Sequence, residues 1–406
     1  MRTTRISGIR GFILAIALSV GPGFISSAFG DHTPPYNTSV ILDPDGKLTR
    51  LGNLGGVREN LDTIGNGIND SGQVAGYSYA TGGTHAFITG PNGVGITDLG
   101  TLGGYNSYAY GINAAGRVVG SSYTTEQDHF AQHAFITGPN GAGMSDLGTL
   151  GGTHSVATAI NDAGRVVGES SYTNGYIYSR HAFITGPGGV GMTDLGTLGG
   201  SESNATGINE TGQVVGSSST AEQATHAFIT GPNGVGMTDL GTLGGTHSVA
   251  TGINEAGQVA GWSTTGESDD SGFETVHSFI TGPDGVGMTD LGTLGLTWTQ
   301  ANDINDAGQV AGESFAAYAV VRDGFVTGAN GAGITSLDSY ADLHQGDLRR
   351  ANGINNLGQV VAISGSYLPP PPIPEPASYA LMLARLGLVG FMVRRKKPVK
   401  NTVERG

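Results

Sequence analysis

The chain has 406 residues, 72 of them glycine and none cysteine, with a formal net charge of −14. The lack of cysteine excludes disulfides, thiolate metal centres and a cysteine nucleophile. Between residues 31 and 366 only nine Lys and Arg stand against 31 Asp and Glu, a balance that repels a phosphate backbone and excludes nucleic acid as a partner.

Residues 1–30 read as a signal peptide. Arg2, Arg5 and Arg10 form a positive segment, Gly11 to Val20 an apolar run too short to span a bilayer, and Ala28-Phe29-Gly30 the small residues a signal peptidase needs. A short signal helix is expected there, with cleavage between Gly30 and Asp31.

From residue 31 to 366 the chain repeats. Ile-Asn recurs with its Asn at 69, 113, 161, 209, 254, 305 and 355. Intervals of 44–51 residues rich in Gly, Thr, Val and Ile, without helical periodicity, point to propeller blades. One unit reads as strand 108–112, a tight turn at Asn113-Ala-Ala-Gly116, strand 117–122, strand 133–137, a turn at Gly138-Pro-Asn-Gly141, and strand 143–147. Four antiparallel strands make a blade. The last unit stops after two strands, 352–355 and 359–364, while the first segment, 39–56, supplies the missing third and fourth. The expected fold is therefore all-β: a single seven-bladed β-propeller closed by pairing of its N- and C-terminal strands. The two tight turns of each unit should share one side of the ring, and the variable loops the other.

His-Ala-Phe stands at 85–87, 133–135, 181–183 and 226–228, and Asp-Leu-Gly-Thr-Leu-Gly begins at Asp98, Asp146, Asp194, Asp239 and Asp290. By these motifs residues 39–364 resemble the HAF-repeat family, a resemblance that implies an extracellular protein without implying a mechanism.

Residues 367–376 form a proline-rich spacer, and 377–406 a tail whose mostly apolar stretch, Ala377 to Val393, ends in Arg394-Arg395-Lys396-Lys397. Seventeen residues is the short limit for a membrane helix, and the basic cluster should stay cytoplasmic. Pro374-Glu375-Pro376, the apolar helix and the basic cluster resemble the PEP-CTERM sorting signal, with Arg385 as a departure from its pattern. That resemblance implies a Gram-negative host, handling by an exosortase-type enzyme, transient or permanent anchoring in the inner membrane, and a final place on the outer surface or in the extracellular matrix, with exopolysaccharide as a partner.

The chain shows no catalytic constellation. The repeated His, Asp and Asn recur too often to serve one reaction and read as structural. No cofactor or metal site is expected; calcium is the one ion that the acidic strings at 43–46 and 267–270 would suit, although hairpin turns use the same residues. Aromatics expected on the variable loops, among them Tyr105, Tyr123, Tyr172, Tyr176, Trp262 and Trp298, are the candidate ligand-binding residues, suited to sugar rings. The expected function is non-catalytic binding or organisation of exopolysaccharide outside the cell; the alternative is a polysaccharide-active hydrolase or lyase whose carboxylates come from different blades.

Overall fold

The computed structural model describes residues 38–55, 63–124, 131–173, 178–269, 272–316, 322–340 and 347–365. The signal segment with Gly30 and Asp31, Tyr176, and the tail carrying Pro374, Glu375 and Pro376 lie outside the described residues. What is described is all-β, with single-turn 3₁₀ segments and no α-helix. Among the described residues no helix is long and apolar enough to cross a membrane.

One unit shows how the repeat folds. Strands Gly103–Ile112, Val118–Thr124, Gln132–Thr137 and Met144–Gly148 form a four-stranded antiparallel sheet in chain order. Alternation of Val, Ile and Phe with small residues suits both faces of a sheet that is packed on both sides. The first turn closes by Gly116 N–H donating to Asn113 O at 3.0 Å, while Asn113 Oδ1 accepts the N–H of Arg117 at 3.0 Å. Gly116 sits at φ 70°, left-handed backbone where a side chain would be strained. The second turn is a 3₁₀ segment whose central residue is also left-handed: Asn140 at φ 52°, Asp284 at φ 54° or, in the third unit, Gly188. These are the residue types that tolerate that region. The two turns bond to each other, Asn140 N–H to Ala115 O and Gly141 N–H to Gly116 O, and so lie on one side of the sheet.

The core lies between units. Phe135, fully buried, packs with Val118 and Ala109 of its own unit against Ala75, Ala86 and Ile88 of the preceding one. Phe87, Phe183, Phe228, Phe279 and Phe325 are equally buried, each contributing roughly 1.5–3 kcal/mol. Opposite each Phe the second strand carries glycine, for a steric reason. A Cβ on Gly120 would stand 1.9 Å from Tyr108 O and 2.9 Å from Phe135 Cε1, because the first strand bulges there, between Ala109 and Gly111.

Among the described residues, three sheets have four strands and two have eight. Each eight-stranded sheet contains one parallel link, Thr38 with Thr63 or Val276 with Trp298, between antiparallel units of four. The terminal segments meet: Thr38–Leu42 runs antiparallel to Val360–Ser364, with Val40 opposite Ala362 and Ile41 opposite Val361. Val40 replaces the Phe of other units, and its partner Ala362 replaces their Gly. The smaller core residue and the added methyl occur together.

The turn asparagines link the units. Each side-chain Nδ2 donates to the backbone carbonyl of the next turn asparagine: Asn69 to Asn113 (3.0 Å), Asn113 to Asn161 (3.1 Å), Asn161 to Asn209 (3.1 Å), and Asn209 to Asn254 (3.4 Å). Asn254 then donates to Asn305 (3.1 Å), Asn305 to Asn355 (3.0 Å), and Asn355 back to Asn69 (3.0 Å). The circuit explains why this residue repeats. It satisfies its own turn and bridges to a neighbour in the same stroke.

Candidate functional site

The repeated His and Asp are spent on structure at the outer strands. His Nδ1 meets Asp Oδ2 at 2.7–2.8 Å in the pairs 85/98, 133/146, 181/194, 226/239 and 277/290. The other aspartate oxygen accepts the N–H two residues on, as in Asp194 to Gly196. In the sixth unit the His position is Asp323 and the Asp position Ser336; Ser336 Oγ donates to Asp323 at 2.8 Å. One hydrogen bond replaces another, with the carboxylate moved from the fourth strand to the third. Partly exposed pairs of this kind are worth at most about 1 kcal/mol.

The acidic strings are likewise turns. Asp45 accepts the N–H of Lys47, Asp43 accepts Gln359 Nε2 at 2.7 Å, and Asp269 accepts the N–H of Phe273. Among the described residues no three His, Asp or Glu gather as metal ligands.

The aromatic candidates sit elsewhere than expected. Tyr105, Tyr123, Tyr172, Trp262 and Trp298 all lie within strands rather than on loops: four of them because the first and second strands run farther than the sequence reading gave them, and Trp262 because it holds a position that the repeat already placed in the second strand. Tyr105 is largely exposed, and Tyr172 stacks on His181 with ring centroids 5.6 Å apart. Trp298 packs edge-on against Phe315, and its indole Nε1 is buried without a hydrogen-bond partner. Trp262 is half-buried between strand partners Val249 and Ser278. The structure does not gather these rings into one platform.

What it does gather is a polar cleft of about 570 Å³ between the third and fourth units. Glu169 on the second strand and Arg180 on the third form one wall, with Arg180 Nη1 2.8 Å from Glu169 Oε1. Glu202 and Asn204, on the first strand of the next unit, form the other. The walls are braced: Ser219 Oγ accepts the Glu202 N–H at 2.8 Å, and Asn204 Oδ1 accepts from Ser217 Oγ at 2.7 Å. His154, Thr153, Thr225 and further serines complete the lining, which carries no large apolar side chain. Arg180 is exposed enough to meet a ligand, and Glu202 has no ion-pair partner among the described residues. Hydroxyls, an amide, two carboxylates and a guanidinium around an open cleft can bind a polyhydroxylated ligand through many hydrogen bonds.

The position held by Glu169 varies around the molecule. It is Tyr77 in the first unit, whose ring meets Tyr108 edge-on at 5.2 Å, and Trp262 in the fifth. In the sixth it is Glu313, buried and held by Arg322 (2.6 Å) and Arg350 (3.6 Å). Sequence reading missed the cleft. Its signal was present: a charged residue at this column of the repeat in only two units.

Comparison with known proteins adds the following. Residues 104–336 match the model of a family described as "Protein of unknown function (DUF3466)", and residues 372–396 match the PEP-CTERM protein-sorting motif. The sorting motif marks an exported protein, recognised by an exosortase-type enzyme and anchored at a membrane during sorting in Gram-negative bacteria. No curated protein matches the chain. Among solved structures, a TolB-type protein of Agrobacterium tumefaciens is 10% identical with a TM-score of 0.45, covering 82% of this chain and 99% of its own. TolB of Acinetobacter baumannii is 10% identical at 0.45, covering 72% and 64%. An oligogalacturonate lyase of Vibrio parahaemolyticus is 11% identical at 0.43, covering 69% and 79%.

Proposed function

The chain belongs to the DUF3466 family, of unknown function, and on that premise we propose that it is a non-catalytic protein of the cell exterior that binds exopolysaccharide. Its scaffold in this reading is a closed, seven-bladed, HAF-type propeller. That scaffold is supported by the four-stranded units, the antiparallel pairing of 38–42 with 360–364, and the asparagine circuit that returns from Asn355 to Asn69. The binding function rests on one observation, the hydroxyl- and charge-lined cleft of Glu169, Arg180, Glu202 and Asn204. Vicinal diols of a sugar match carboxylate and guanidinium groups by paired hydrogen bonds. Sorting to the exterior brings the cleft to such a polymer.

The test is retardation of the purified protein in gels containing the host's own exopolysaccharide. Arg180→Ala and Glu202→Gln are expected to weaken retention at least about tenfold, the loss of one or two charge-assisted hydrogen bonds, with melting temperature unchanged. New reducing or unsaturated chain ends would overturn the non-catalytic reading and make the two glutamates candidate catalytic groups. Equal retention of wild type and both variants would remove the cleft from the account.

A further inference from the structure

At the junctions a column of second-strand residues meets a column of first-strand residues from the next unit. Within a unit the two columns are cross-strand partners, as in Val156 opposite Glu169, Asn204 opposite Ser217 and Arg350 opposite Ile363. Between units they touch directly: Tyr77 meets Tyr108 with ring centroids 5.2 Å apart, and Arg350 Nε lies 3.6 Å from Glu313 Oε1.

Two junctions place a glutamate in the second-strand column, and in both an arginine of the third strand holds one of its oxygens. Arg180 Nη1 is 2.8 Å from Glu169 Oε1, and Arg322 Nη1 is 2.6 Å from Glu313 Oε2. The two arginines share one place in the register, opposite Ser171 and Phe315. What differs is the residue facing each pair from the next unit. Between the sixth and seventh units it is Arg350, which brings a second cation to the other oxygen of Glu313 and leaves that side chain only 4% exposed. Between the third and fourth it is Asn204, a shorter side chain whose Oδ1 is held within its own unit by Ser217 N–H and Oγ. Glu169 stays 23% exposed there, and the cleft stands open. One junction therefore displays the group that completes the other: a cation against the second carboxylate oxygen.

Charge points the same way. Glu169 and Glu202 outnumber Arg180 in the cleft, within a body where 31 acids face nine basic residues. Such a field draws cations in and repels uronic acids. The serine hydroxyls around the carboxylates match a hydroxylated ring rather than a hydrocarbon stem.

We propose, resting on the saccharide reading of this cleft, that its ligand is an amino-sugar polysaccharide, whose ammonium group sits against Glu169 as the Arg350 guanidinium sits against Glu313. Glu202 accepts from a neighbouring amino or hydroxyl group. A charge-assisted hydrogen bond is roughly twice as strong as a neutral one, and N-acetylation of the sugar removes that charge.

The experiment is isothermal titration of the full chain with a glucosamine hexamer, its N-acetylated counterpart, a galacturonate hexamer and hexalysine. The glucosamine hexamer is expected to bind at least about tenfold more tightly than the acetylated one, and galacturonate to give no saturable heat. Glu169→Gln should erase that preference and leave the acetylated hexamer unaffected. Asn204→Arg, which copies the seventh unit, should abolish binding of both sugars with the melting temperature unchanged or raised. Equal binding of free and acetylated hexamers, or tighter binding of galacturonate, overturns the amino-group assignment and leaves the saccharide cleft standing. Hexalysine bound as tightly as the glucosamine hexamer overturns it by reducing the preference to charge alone. A preference that survives both Glu169→Gln and Asn204→Arg places it elsewhere on the molecule and overturns the site. Silence from all three sugars overturns the assignment whether or not the variants fold, and retardation by the host's exopolysaccharide then decides separately whether the saccharide reading survives.

Discussion

Removing residues 31–56 is expected to convert a soluble protein into an insoluble or oligomeric one, whereas trimming 31–36 alone should change neither yield nor elution volume. The segment supplies Val40, Ile41, Leu42 and Leu51, all at most 5% exposed. At roughly 1.5–3 kcal/mol each their loss is comparable with the whole stability of a typical domain, about 5–15 kcal/mol. The damage is shared between two junctions. Val40 and Leu42 pack with Ala311, Val326, Leu337 and Leu348 on one side, and Ile41 and Leu51 with Val74 and Phe87 on the other. Strand Val360–Ser364 would also become an unpaired edge, a template for association between chains. Soluble yield and size-exclusion profile read the outcome. A soluble monomer lacking 31–56 would mean that the terminal strands are decoration on an open array.

Gly120→Ala is expected to destabilise by about 2–4 kcal/mol, large for one methyl group, because it overpacks the core and pushes on backbone as well. The new Cβ would meet Tyr108 O at 1.9 Å and the Phe135 ring at 2.9 Å. Only the ring can be trimmed by a second change, so Gly120→Ala with Phe135→Val should recover part of the loss and not all of it. Phe135→Val alone leaves a void in a fully buried site and should cost about 1–3 kcal/mol. The Val40–Ala362 pair is the natural form of the double variant. Chemical denaturation of the four proteins measures the coupling. Strict additivity would show that the glycine is there for the turn of the backbone and not for the ring.

Much of the fold was legible because its determinants are local. Asn113 to Gly116 and Gly138 to Gly141 announce turns by residue type, and turns placed every few residues leave little room for anything but short strands. The matching half-units at 39–56 and 352–364 were legible for the same reason. Strand ends were less so: Tyr105 and Tyr172 read as loop residues, since nothing local distinguishes a strand that runs on past its neighbour from one that stops. The cleft was only partly legible: Glu169 is a charged exception in its column of the repeat, but Arg180 and Glu202 come from two further strands and nothing local brings the three together.

The account rests on the meeting of the two ends, and one measurement reaches it directly. The chain has no cysteine of its own, so a Val40→Cys, Ala362→Cys variant can form only one intrachain disulfide, across residues that face each other in antiparallel register. Oxidised without reductant, digested and read by mass spectrometry, it should yield a single cross-linked peptide pair from one monomer. Free thiols, or disulfides found only between chains, would contradict the closed ring.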